Sequence, residues 1–143
     1  MNPRQFLLLG GIVLILVGIL GFAGIIGPAP EDSIFGNGWW FDNVENWAHL
    51  ILGVAGLFAA FVFPRKARRI LVILIGIIGV ITGLYSLFIS TNFLGANLEN
   101  PADTILHIAV GAWALWASLR GLGMSEHANP PQNHTPPSPP PTV

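Results

Sequence analysis

Four stretches of this chain are apolar around nearly the whole circumference of a helix, and the charged residues fall almost entirely between them. Crossing the hydrocarbon of a bilayer takes about 20 such residues in helical form. The first stretch runs from about Phe6 to Ile26 without a charge and is closed by Gly27-Pro28. The second runs from about Asn46 to Phe63 and stops at Pro64, and the third, again uncharged, from about Ile70 to Ile89. The fourth runs from about Ala102 to Leu119, with Asn100-Pro101 as its start signal, because proline suits a first helical turn. All-round hydrophobicity is what lipid demands of a helix, whereas a water-soluble helix shows one apolar stripe. The predicted fold is an all-α membrane protein with four transmembrane helices over residues 1–122.

Composition strengthens that reading. Only 9% of the 143 residues are charged, against about 25% in a typical soluble domain. Seventeen glycines fit membrane helices, where a missing side chain lets two backbones approach. The absence of cysteine excludes disulfides, thiolate metal sites and cysteine nucleophiles. Arg4, Arg65, Lys66, Arg68, Arg69 and Arg120 lie before the first span, between the second and third, and after the fourth. The other two connections hold Glu31, Asp32, Asp42, Glu45, Glu99 and Asp103 and no basic residue. Basic residues mark the cytoplasmic side, so both termini and the middle loop are expected in the cytoplasm. The first apolar run exceeds the roughly 7–15 residues of a signal-peptide core, and is expected to be retained as a span.

The chain also matches itself at an offset of 58 residues, pairing the first span with the third and the second with the fourth. Beyond apolar matches, Gly18/Gly76, Gly21/Gly79, His49/His107 and Gly53/Gly111 coincide without a gap. Each unit has two spans, so the units share one orientation, and the expected architecture is a pseudo-twofold bundle. Stripes of small residues, His49-Gly53-Gly56-Ala60 and His107-Gly111-Ala114-Ser118, mark contact faces on spans two and four. These two spans are expected to face each other or the bundle axis. Gly76, Gly79 and Gly83 make a similar stripe on span three.

The candidate chemistry is Glu45, His49, Asp103 and His107. In each half the acid precedes the histidine by four residues, so both occupy one helical face. In the favoured reading the acids cap helix starts and the histidines pin the outer end of the bundle, with no cofactor. A second reading makes Glu45, His49, Asp103 and His107 ligands of zinc, manganese or non-haem iron. A third places haem b between His49 and His107. Trp39, Trp40 and Trp47 read as an interfacial belt, and Trp113 and Trp116 as packing or lipid-facing residues. Asn37-Gly38, Gly95 and Asn97 read as turns in the outer connections. The basic run at 65–69 attracts anionic headgroups. Residues 123–143 are proline-rich and are expected to be a disordered cytoplasmic tail. No nucleotide loop, hydrolytic triad, zinc-protease motif or nucleic-acid signature is present. The function expected is therefore that of a small accessory or assembly subunit in lipid, as a homo-oligomer or within a larger complex; nothing in the sequence argues for an enzyme. A small transporter or channel has less support, since no charge lies deep in any span.

The segments Asn46-Trp-Ala-His49-Leu-Ile-Leu-Gly53 and Asp103-Thr-Ile-Leu-His107-Ile-Ala-Val-Gly111 resemble the repeated signature of a family of small bacterial four-helix membrane proteins. That family is known as a domain of unknown function. The likeness covers roughly Arg4 to Leu122 and implies four spans in a bacterial plasma membrane, but no reaction. The second half lacks the tryptophan that follows Asn46 in the first.

Overall fold

The computed structural model describes residues 1–126, so most of the expected tail lies outside the described residues. Four helices fill it: α1 (Pro3–Phe22), α2 (Asn43–Val62), α3 (Arg65–Phe88) and α4 (Ala102–Glu126). Each includes a window long and apolar enough to cross a membrane. A short antiparallel hairpin, β1 (Asn92–Phe93) and β2 (Ala96–Asn97), lies between α3 and α4.

Local chemistry sets the helix ends. Asn2 and Gln5 form a reciprocal capping box at the start of α1, as Asp42 and Glu45 do at the start of α2. α1 ends at Phe22, four residues before the expected Ile26, because Gly24 takes a left-handed φ of +71° and turns the chain. The basic run expected as a loop is instead the first turn of α3, with Pro64 as its N-cap. A cationic first turn opposes the helix dipole. Arg68 finds a use for its charge elsewhere: its guanidinium donates to the Ala60 carbonyl, 2.9 Å away, in the last turn of α2. The hairpin turns through Leu94 (φ 54°) and Gly95 (φ 92°), both positive as a two-residue hairpin turn requires. Asn37-Gly38 lies in a 3-10 turn as expected, whereas Asn97 belongs to β2.

The close packing is within consecutive pairs, α1 with α2 and α3 with α4, and α1 makes the main contacts between pairs. Glycine decides this. A Cβ on Gly53 would stand 2.8 Å from the Gly11 carbonyl oxygen, and one on Gly111 would stand 2.8 Å from that of Gly76. The small-residue faces of α2 and α4 therefore pack on α1 and α3; of the two arrangements expected, these faces do not meet each other, though Gly56 borders the space between the pairs. Apolar side chains gain little by leaving lipid, so close backbone approach must supply the attraction.

The two pairs use equivalent contacts. Gly11 meets Gly53 and Leu57 as Gly76 meets Gly111 and Leu115; Gly18 meets Asn46 and Leu50 as Gly83 meets Thr104 and Ile108. The offset is 58 between α2 and α4, as read from the sequence, and 65 between α1 and α3. The connection at residues 23–42 is longer than that at residues 89–101 by the same seven residues. Seven residues is close to two helical turns, so either register lays glycine on the same face.

At the end of the bundle that carries the N-terminus, all four helices meet around Phe6, Leu7, Ala59, Ala60, Val72, Ala114 and Ala117. Trp113 packs edge-on against Phe6 there, with ring centroids 4.9 Å apart. Trp116 is 44% exposed on the outer surface. Apart from Ser118, which lies beside Ala117, the buried polar residues gather at the opposite end.

Candidate functional site

The starts of α2 and α4 lie at that opposite end, roofed by the two long connections. Asp42 is the hub. Its Oδ1 accepts the Glu45 N–H at 2.9 Å, and its Oδ2 accepts the Asn97 N–H of the hairpin at 2.8 Å. Glu45 returns the bond, accepting the Asp42 N–H at 3.1 Å. The Asn97 side chain donates to Glu99 at 2.5 Å. Asp103 accepts the Glu99 N–H at 2.7 Å on one oxygen and the Trp39 indole N–H at 3.0 Å on the other. Trp39 in turn is held through its carbonyl by the Ser33 hydroxyl at 2.7 Å.

These bonds cross between the pairs in both directions. Trp39, in the first connection, reaches Asp103 of α4; Asn97, in the second, reaches the cap of α2. Trp39 and Asn97 are also 58 residues apart, the offset that relates α2 to α4. The result is a clasp that ties both connections to both helix starts. The side chains of Asp42, Glu45 and Asp103 all accept backbone or indole N–H groups, so donors at the helix starts and in the connections are satisfied within the clasp.

Glu99 differs. It is buried, and one carboxylate oxygen has no hydrogen-bond partner. Burial pushes its pKa up to about 7, and the negative charge of Asp103 adds to the rise. It is thus a carboxyl that gains or loses its proton near neutrality, outside the helices.

The residues singled out in the sequence do come to this end, but not as acid–histidine bonds. Glu45 is spent on the cap and Asp103 on the clasp. The His107 Nδ1 lies 2.8 Å from the Asp103 carbonyl oxygen one turn back. A carbonyl can only accept, so Nδ1 carries the hydrogen and Nε2 is left as the basic nitrogen. His49 faces the Glu45 carbonyl more weakly, its Nδ1 outside hydrogen-bonding geometry, and stacks edge-on against Phe41 at 4.9 Å. The two imidazoles are within electrostatic range of each other. Among the described residues no group of three or more His, Asp or Glu side chains is arranged to hold a metal ion.

Several members of the clasp carried no site signal in the sequence. Trp39 reads as interfacial belt, Asn97 as a turn, and Asp42 and Glu99 only as loop charge. The Asp42-x-x-Glu45 spacing of a capping box was the one local clue. Beside the clasp, Asn46 is fully buried, donates to the Phe41 carbonyl at 3.3 Å, and presses its amide oxygen on Gly21. That oxygen has no conventional partner and lies against the Gly21 Cα, the geometry of a weak C–H···O contact.

No curated protein and no solved structure matches the chain. Residues 4–120, which include all four spans and the whole clasp, match a family described as a domain of unknown function (DUF4383). A match over that much of the chain identifies this four-span membrane protein as a member of the DUF4383 family.

Proposed function

We propose that this protein is a small non-catalytic membrane subunit that supports the assembly or stability of a larger membrane complex or of its own oligomer. The observation that carries this reading is how the clasp spends its polar groups. The carboxylates of Asp42, Glu45 and Asp103 each accept a bond from the chain's own N–H groups, which fixes the outer connections. Acids used in that way shape and stiffen a surface. The lipid-side faces of all four helices carry large apolar side chains suited to further helix contacts, such as Phe58, Phe61, Ile78 and Leu119.

The same reading places the protein in a bacterial plasma membrane with both termini in the cytoplasm. Its support is the segregation of all six basic residues to one end, with the acids of the connections at the other. The equivalent contacts at offsets of 58 and 65 support descent from a duplicated two-helix unit that later gained or lost two turns' worth of connection.

The test is the size of the assembly in the native membrane. Full-length protein would be crosslinked in membranes, extracted in mild detergent, and sized beside an uncrosslinked sample. Higher-order species containing this chain are expected. A monomer in every preparation, with no specific co-purifying chain, refutes the reading.

A second reading has one observation in its favour. His107 offers a basic Nε2 oriented by a backbone carbonyl, the usual preparation of an imidazole for a metal, and His49 holds the corresponding place on α2. On this reading His49 and His107 hold a metal ion or haem b between α2 and α4. An absorption spectrum with a haem band, lost in a His49→Ala/His107→Ala variant, would decide for it.

A further inference from the structure

Away from the clasp, an apolar cavity of about 250 Å³ lies between the helix pairs. All four helices line it, with Leu7 and Gly10 of α1, Gly56 of α2, Leu71 and Ile75 of α3, and Trp113 of α4 among its walls. It is large enough to take a ligand segment, yet below the roughly 300–1,000 Å³ of pockets that enclose compact small molecules. With apolar walls it is not a place for water. Val13, Leu52 and Val110, also in its lining, are 43–59% exposed on the helix surfaces, so it opens sideways toward the hydrocarbon.

One end of this cavity is basic. Arg4 lies one turn before Leu7 on α1, and Arg68 one turn before Leu71 on α3. Arg4 is held over the Phe61 ring, 5.9 Å from its centroid, and Arg68 gives one of its five N–H donors to the Ala60 carbonyl. An apolar slot that opens to lipid, with guanidinium donors at its end, is complementary to a molecule with a hydrocarbon chain and an anionic head.

We propose that the cavity seats one acyl chain of an anionic phospholipid, its phosphate held by Arg4 and Arg68. A lipid seated there fills the space between the pairs, where direct helix contact is weakest, and joins them. The bound lipid is thus an integral part of the bundle's packing, drawn from the leaflet at the basic end.

Gly10 supplies a clean test. Gly10 lines the cavity and a Cβ there meets no atom within 4 Å, so Gly10→Leu adds bulk at the cavity wall without a clash at its Cβ. Full-length protein in mild detergent would be titrated with phosphatidylglycerol or phosphatidylcholine of identical chains, and bound lipids counted by native mass spectrometry. One tightly held phosphatidylglycerol is expected, and Gly10→Leu is expected to lose it. Arg4→Gln and Arg68→Gln are each expected to weaken it roughly fivefold, the order of effect of one basic residue at a charged membrane surface. Val13→Phe, at the cavity mouth, gives a second block should Gly10→Leu misfold. Equal retention of the two lipids overturns the proposal. So does a phosphatidylglycerol adduct that survives both blocking variants, and so does the absence of any tightly held lipid.

Discussion

Substituting Gly53 by alanine tests the closeness of the helix pairs. The new Cβ would lie 2.7 Å from Ile15 Cγ1, 2.8 Å from the Gly11 carbonyl oxygen and 2.9 Å from the Ile15 amide nitrogen. Two of these atoms are backbone, so no rotamer change relieves the contact. Restoring an ordinary separation of about 3.5 Å requires α1 to retreat by roughly 0.7 Å, and a gap of that size forfeits a quarter to a half of the dispersion attraction it opens. Overpacking of this kind costs about 1–3 kcal/mol, and alanine's better helix propensity returns up to about 1 kcal/mol. The net expectation is a loss of about 1–2 kcal/mol. Gly111→Ala should lose a similar amount, since its Cβ would stand 2.7 Å from the Val80 nitrogen and 2.8 Å from the Gly76 oxygen. Gly10→Ala, with open space around it, should be neutral or slightly stabilising. The double variant Gly11→Ala/Gly53→Ala should cost less than the two singles together, because the first substitution already separates the helices. Reversible unfolding in mixed detergent and SDS micelles, followed by far-UV circular dichroism, measures all of these. Gly53→Ala and Gly111→Ala as stable as Gly10→Ala would show that backbone contact does not close the pairs.

Three further outcomes follow from the polar end and the middle turn. Asp103→Ala strands two donors, the Trp39 indole N–H and the Glu99 N–H, and should lower stability by about 2–4 kcal/mol in the same unfolding assay. Glu99 has a folded-state pKa raised from about 4.5 to about 7, so the folded hairpin binds the proton more tightly than the unfolded chain. Its attachment should be strongest near pH 4.5, weaken as pH rises to 7, and change little above; amide exchange at Asn97, corrected for intrinsic rates, should show this slope, and Glu99→Gln should abolish it. Arg68→Ala uncovers the Ala60 carbonyl at the end of α2 and should speed exchange of the last-turn amides of that helix, read by mass spectrometry after pulsed labelling.

The spans were legible because lipid imposes a crude rule, about 20 apolar residues in a row, which four stretches of the chain obey. The start of α2 was read about three residues late, at Asn46, because the Asp42-x-x-Glu45 cap went unread, whereas the contact faces were legible through Gly53, Gly76 and Gly111. Which helices those faces meet was not. A small-residue stripe says that something packs closely, not what, and here each stripe meets its neighbour in sequence. The offset of 65 between α1 and α3 was hidden because a shift of seven residues restores the same helical face, so the wrong glycines matched equally well. The clasp was hidden for a different reason. Trp39 and Asp103 are 64 residues apart, and Asn97 and Asp42 are 55 apart. No local pattern links such positions; only the folded arrangement of the four helices brings them together.

The most direct test of the proposed role is elemental and haem analysis of full-length protein purified without chelators, beside the His49→Ala/His107→Ala variant. A structural clasp leads to no stoichiometric metal or haem in either sample, and to the same assembly size in both. Near-stoichiometric metal or haem in the unmodified protein, lost in the variant, contradicts the account and makes the two histidines a binding site.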